Sequence, residues 1–416
     1  MSKYATRLRL SMEDAEEEFL DTTGEEAPEV EAVVSEELDT ETVEATEEAA
    51  AEADEAESTV NEGAEKVEEL EEAAAGLESI HDLLASAIEK GKIHRDTVTF
   101  ANIAIESYAS RVGYGDELNM STESFQPRLA LEGIKEWVTK AWEAIKKFIK
   151  KLWSDIKIFF KSLFNLRKKL ELRATRLKNA KATGKAKNDK IEAAGLVRMI
   201  SINGKLQAPG SGKVHELLEG VKTIIGENSA DLKTLHSDWA ASNNKKFKKD
   251  SDKKYNSFGL VNRFGDNSSF IGNPSFRVVG VTIPYVGQLG VTVTTAGKNY
   301  ASDDKSIDTF SIGMINEIGG MVLKELKVVD DVNKIADDFD RDCQANISRM
   351  EKDTPDSADA KAAMSSYARA LRTISLNSAK GASRLTGHAM KVMLAYVKLA
   401  EKSLAQYNDK TDYSKN

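Results

Sequence analysis

GIKEWVTKAWEAIKKFIKKLWSDIKIFFKSLFNLRKKLEL, residues 133–172, decides how the rest of the chain is read. Its large apolar residues fall at Ile134, Val138, Trp142, Ile145, Ile149, Leu152, Ile156, Phe159, Leu163, Leu166 and Leu170. Steps of three and four keep that row on one face of a helix. Trp137, Phe148, Trp153, Phe160 and Phe164 widen the stripe, and lysines fill most of the remainder. No proline interrupts it, and Gly133 sits at its N-terminal edge. The spacing predicts a long cationic amphipathic helix over 133–182. It cannot span a bilayer, because lysines recur every few residues and no apolar run reaches about 18.

The chain before this helix has the opposite charge. Residues 1–132 hold 36 Asp/Glu against 9 Lys/Arg, a net of −27, whereas the remainder carries 32 acids and 49 bases, a net of +17. The overall −10 therefore averages two polyelectrolytes of opposite sign. Asymmetry of this kind reads as an acidic tail on a body that binds nucleic acid or a membrane surface. Residues 133–200 alone hold 19 bases and 6 acids, so the basic charge sits on and just after the helix.

The N-terminal quarter is Glu/Ala/Thr-rich with few aromatics. Low hydrophobicity and mutual repulsion leave little to offset the entropy of ordering, so residues 1–75 are expected to be an acidic disordered propeptide segment, disordered or transiently helical over 11–75. Leu77, Ile80, Leu84 and Ile88, then Val98, Ile103, Ile105 and Tyr108, give two short helices, a hairpin over 76–118. A polar linker, 119–132, follows. After the central helix, 183–416 reads as an α+β body. LVRMISINGKL reads as strand and turn at Asn203-Gly204, and a helix follows in which Ser211 is the expected N-cap. Residues 229–275 are polar and expected to be irregular. SFRVVGVTIPYVGQLGVTVTTAG reads as a small antiparallel hairpin or sheet, and two long helices complete the chain. The fold class expected is mainly α with a small antiparallel β insertion, a disordered acidic N-terminal segment and the long cationic amphipathic helix.

A single cysteine, Cys343, excludes an intramolecular disulfide and a multi-cysteine zinc site. No apolar h-region follows MSKYATRLRLSMED, so no secretory signal is read there, and folding in a reducing cytosol is expected. Gly210-Ser211-Gly212-Lys213 fails as a phosphate loop, since Gln207 and Val214 stand where Gly and Ser/Thr are required. Asp338, Asp340 and Asp342 have calcium-loop spacing, but Cys343 and Arg349 occupy its sixth and twelfth positions, leaving a solvated helix face as the reading. The five histidines are scattered. No nucleophile–base arrangement, metal site or cofactor motif emerges, so no enzymatic activity and no cofactor are expected.

Within the linker, Ser121-Thr122-Glu123 precedes Ser124, and Ala130-Leu131-Glu132 precedes Gly133. Both fit a small-x-Glu pattern in an accessible segment where the charge changes sign. With the acidic tail, the 77–114 helices, STESF and LEGIKEWVTKAWEAIKKFIKKLW, the sequence resembles the internal head proteins of large tailed bacteriophages, phiKZ-like jumbo phages among them. The resemblance is close over about residues 77–200. It implies a propeptide trimmed after small-x-Glu by the phage prohead protease, with Ser121, Thr122 and Glu123, or Ala130, Leu131 and Glu132, as recognition residues. It further implies packaging in the head, other prohead core or capsid proteins as partners, and ejection with the genome into the host cytoplasm.

The reading that follows is a virion internal protein made as an acidic proprotein. Lys146, Lys147, Lys150, Lys151, Arg167, Lys168 and Lys169 are the expected contacts to packaged double-stranded DNA, masked in cis by the acidic tail. Two readings of the apolar stripe stand: a face packed on the C-terminal helices, or a face lying on a membrane surface or partner after release. The alternatives to the DNA-associated reading are a membrane-active helix protein and a genome-delivered effector.

Overall fold

The computed structural model describes residues 42–60, isolated positions at 62, 76, 80, 103, 104 and 107, 154–242 apart from 156, 183 and 194, 252–264, 270–293 apart from 275, and 306–407 apart from 353–357. The expected hairpin over 76–118, apart from those isolated positions, the linker 119–132 and the first half of the central helix lie outside the described residues. Packing contacts gather Glu44–Asn416 into one unit.

The body is built around its last helix. In chain order the elements are α1 (44–60, part of a helix described from residue 42), α2 (157–178), β1 (Lys190–Glu192), α3 (Leu196–Met199), β2 (Ser201–Ile202), β3 (Lys205–Leu206), α4 (Lys213–Ser242), α5 (Gly259–Phe264), β4 (Arg277–Ile283), β5 (Gly287–Val293), β6 (Ser306–Asp308), α6 (Ile312–Lys352) and α7 (Ala358–Leu404). In the middle of α7, Ser375, Ser378, Ala379, Gly381, Ala382, Ser383 and Thr386 are all buried or inward-packed among Leu371, Ile374, Leu385 and Met390. A helix buried on all sides must be central, and small side chains let its neighbours approach closely. α4 and α6 pack on α7 and on each other.

α2 takes the next place. Phe159, Leu163, Leu166, Leu170, Ala174 and Leu177 form one buried stripe, so over 157–178 the apolar face belongs to the core. Its far end approaches α6 so closely that a Cβ on Gly319 would stand 2.3 Å from the Lys178 nitrogen. There Asn316 donates its side-chain amide to the carbonyls of Leu177, Lys178 and Ala180 at 3.1, 2.7 and 3.0 Å. Carbonyls at a helix C-terminus lack intrahelical donors, and this amide supplies one, which places the end at 178 rather than 182.

Among the described residues the strands form three separate antiparallel pairs: β1 with β6, β2 with β3, and β4 with β5. The β4–β5 hairpin runs in register from Arg277 opposite Val293 to Ile283 opposite Gly287. The Asn203-Gly204 turn has both residues at positive φ, 50° and 78°, as a tight hairpin turn requires. Among the described residues no helix is long and apolar enough to cross a membrane.

Residues 11–75 were expected to be disordered or transiently helical, and 44–60 is a helix packed on the body. Two expectations need correction. Residues 229–242, expected to be irregular, continue α4, because Leu232, Leu235 and Trp239 carry on the buried row begun by Leu217, Val221 and Ile224. Ser211 does not cap that helix: it closes a 3-10 turn, Pro209–Ser211, and Gly212 in the left-handed region precedes the first helical residue.

Candidate functional site: the seam under an acidic helix

α1 is VEATEEAAAEADEAESTV from residue 43, with seven acids and no base between Glu44 and Val60. Thr46, Ala49, Ala53 and Val60 are buried and Ala56 is half-buried, a row with helical spacing made almost wholly of small side chains. Six of the acids occupy the other faces, and Glu57 is half-buried over Gly387. A helix of this composition is not stable alone, and what orders it is the surface it meets.

That surface is the groove between α2 and α7. Lys398 Nζ meets Glu47 Oε1 at 2.9 Å, and Lys391 Nζ meets Asp54 Oδ1 at 2.9 Å and Glu57 Oε2 at 3.5 Å. On the other rim Lys169 Nζ donates to the Ala45 carbonyl at 2.5 Å. As numbers rise along α1 they fall along α7, so the two are antiparallel, whereas α2 runs parallel to α7 from Phe159 beside Gly387 to Arg173 beside Glu401. The floor narrows at Gly387, where a Cβ would lie 2.6 Å from Glu57 Oε2 and 3.7 Å from Phe159 Cζ.

Electrostatics at the seam follow from that geometry. The hydrogen bond and charge of Lys398 lower the Glu47 pKa. Burial raises Glu57, only partly offset by Lys391. Burial opposes the charge on Lys391, but Glu57 and Asp54 outweigh it and its pKa rises. The ion pairs are exposed enough that each contributes about 0–1 kcal/mol. Two buried alanine methyls and one valine add a gross gain of about 3–5 kcal/mol, before the cost of ordering the helix is subtracted. The seam is specific but not strong.

The expected DNA contacts have varied fates. Lys146, Lys147, Lys150 and Lys151 lie outside the described residues, as do Ser121, Thr122, Glu123, Ser124, Ala130, Leu131, Glu132 and Gly133. Arg167 is engaged within the chain: Nε and Nη2 meet the two Asp330 oxygens at 2.7 and 2.8 Å, and Nη1 meets Glu171 at 2.7 Å. Lys168 is exposed, with Nζ 4.4 Å from the Phe164 ring centroid. Lys169 serves α1. Lys391 and Lys398, the bases that meet the acidic helix most directly, were not singled out from sequence; their spacing of seven on one helix face was the available signal.

The remaining motifs find ordinary places. Lys213 pairs with Glu216, and His215 Nδ1 lies 3.0 Å from Glu325. His388 Nε2 lies 2.8 Å from the Ile271 carbonyl, and burial lowers its pKa. Asp340 and Asp342 do not form a merely solvated face. Asp340 pairs with Lys157 at 2.5 Å and Asp342 accepts from Ser229 at 2.9 Å. Cys343 is buried beside Ser375. Among the described residues no group of three metal-ligating side chains converges.

The fold is thus a helical body with an acidic helix seated beside Lys169, Lys391 and Lys398. The family model of phiKZ-like phage internal head proteins matches residues 12–402, and the chain belongs to that family. Its place is inside the phage head. No curated protein and no solved structure matches it.

Proposed function

We propose that this internal head protein is made as an acidic proprotein, cut in the 119–132 linker by the prohead protease during capsid maturation, packaged beside the genome and ejected with it. It works by binding, without catalysis or a cofactor. The observation that supports this best is the seam itself: an uncompensated acidic helix from the N-terminal segment sits on lysines of the body, as a removable mask would. The charge division at the linker supports it too, since a cut after either Glu123 or Glu132 separates −27 from +17. Small-x-Glu in the polar linker is the recognition element, and the cationic body is the part that meets packaged DNA.

Mass spectrometry of the protein from mature particles tests this. The expected N-terminus is Ser124 or Gly133, and Glu123→Gln with Glu132→Gln should leave uncut chain in the head. Full-length chain in wild-type particles would overturn the proprotein reading.

A further inference from the structure

We propose that the α2–α7 groove is an exchangeable helix-binding site, and that residues 44–60 of one copy fill the groove of a second copy. The proposal rests on the seam and not on cleavage.

The groove selects its occupant by shape and charge together. Its floor has Phe159 on one side and the bare Gly387 backbone on the other, where the Glu57 carboxylate sits, and Ala49, Ala53 and Val60 fill the rest, so it suits a helix with a narrow, mostly small inner face. On the α7 rim Lys391 and Lys398 meet Asp54, Glu57 and Glu47, so that side of the helix must be acidic, while Lys169 on α2 takes the Ala45 carbonyl. A phosphate backbone would meet the lysines but would leave the apolar floor open to water. In this chain the row Thr46-Ala49-Ala53-Ala56-Val60, flanked by seven acids, satisfies both demands. Every copy carries it.

What holds the helix in its own chain is the tether more than the contact. The gross gain of a few kcal/mol permits frequent opening. Ninety-six residues separate Val60 from Lys157 in sequence. Even a short flexible connection gives an effective concentration of only about 1 mM, and a longer one gives less. At protein concentrations approaching that value, the groove of a neighbour competes on equal terms. Exchange costs no contact, because the swapped seam is identical to the closed one. The device is therefore concentration-dependent: closed singly in dilution, linked copy to copy when crowded.

The test uses full-length chains. One carries Glu47→Cys and another Lys398→Cys, with native Cys343 buried and replaced by Ser in a parallel control; a chain carrying both reports seam occupancy. A bis-maleimide reagent with a reach of about 10 Å then joins positions 47 and 398. The doubly substituted chain should yield internally linked monomer. Mixed single-substitution chains should yield linked dimer, rising about tenfold for each tenfold increase in concentration well below about 1 mM. Ala53→Glu added to the chain that carries Glu47→Cys should abolish the dimer, and about 1 M salt should reduce it severalfold. Internal linkage without mixed dimer at any concentration would fix the helix in cis and overturn the proposal, as would absence of both products. Clearance of the internal link by duplex DNA, with no mixed dimer, would assign the groove to nucleic acid instead.

Discussion

Arg173 is the side chain whose charge is most deeply committed. It is 2% exposed; Nε meets Glu401 Oε1 at 2.8 Å, Nη2 meets Oε2, and Nη1 is buried with no partner. Removing one member of such a pair strands the other charge. Arg173→Met should therefore cost about 3–5 kcal/mol in denaturant unfolding, and Arg173→Met with Glu401→Leu should recover most of it. Asp231 gives a pH signature. Burial pushes its carboxyl from 3.8 up to about 6, against the N–H groups of Asn256 and Ser257 that it accepts at 2.7 and 3.1 Å. Because the folded state binds this proton more tightly, the contribution to stability is complete below about pH 4 and is lost as pH rises through about 6. Wild type minus Asp231→Asn should show that fall, on the order of 3 kcal/mol, in unfolding free energies across about pH 4–7. A flat difference would mean the backbone donors hold the carboxylate charged. Neither role was legible in the sequence. Arg173 read as one base among many, because its partner lies 228 positions away.

At the scale of the element, legibility depended on side-chain size. Leu and Phe at three- and four-residue steps announced α2, and its buried face is where that spacing put it. Ala49, Ala53, Ala56 and Val60 have the same spacing, but a stripe of methyl groups is quiet beside seven carboxylates, and averaged composition read as disorder. The end of α4 was hidden likewise, its Leu232-Leu235-Trp239 row diluted by polar neighbours. The 44–60 helix exists because the groove exists, so it can be removed by one residue. Ala53→Glu places a carboxylate on the buried face, and a charge there has no partner. Amide exchange across 44–60 should accelerate to near the unprotected rate, while α6 and α7 keep their protection. Unchanged protection at 44–60 would mean that the floor is not what orders the helix.

Across the whole molecule, the charge divides at the linker. Arg128 and Glu132 cancel, so cutting after Glu123 or Glu132 removes the same −27 and leaves +17. On the proposed reading, the tethered acid competes with DNA for bases of the body before the cut, as it does at Lys169, Lys391 and Lys398. After the cut, lysines of the body are to displace counterions from phosphates. The structure narrows which ones contribute. Arg167 is held by Asp330 and Glu171, so Arg167→Ala should leave the salt slope nearly unchanged. Lys168 is exposed and should contribute, with Lys146, Lys147, Lys150 and Lys151. If about five phosphates are neutralised, log K should fall with log salt at a slope near about −4.5, a loss of about 10²–10³ in affinity between roughly 50 and 200 mM. Titrating duplex DNA with the intact chain and with the chain cut in its linker, at several salt concentrations, measures both quantities. The cut form should bind without sequence preference and with that slope, and the intact form far more weakly at equal salt. Equal affinities, or a cut form indifferent to salt, would make the basic surface a packing face and the acidic segment something other than its mask.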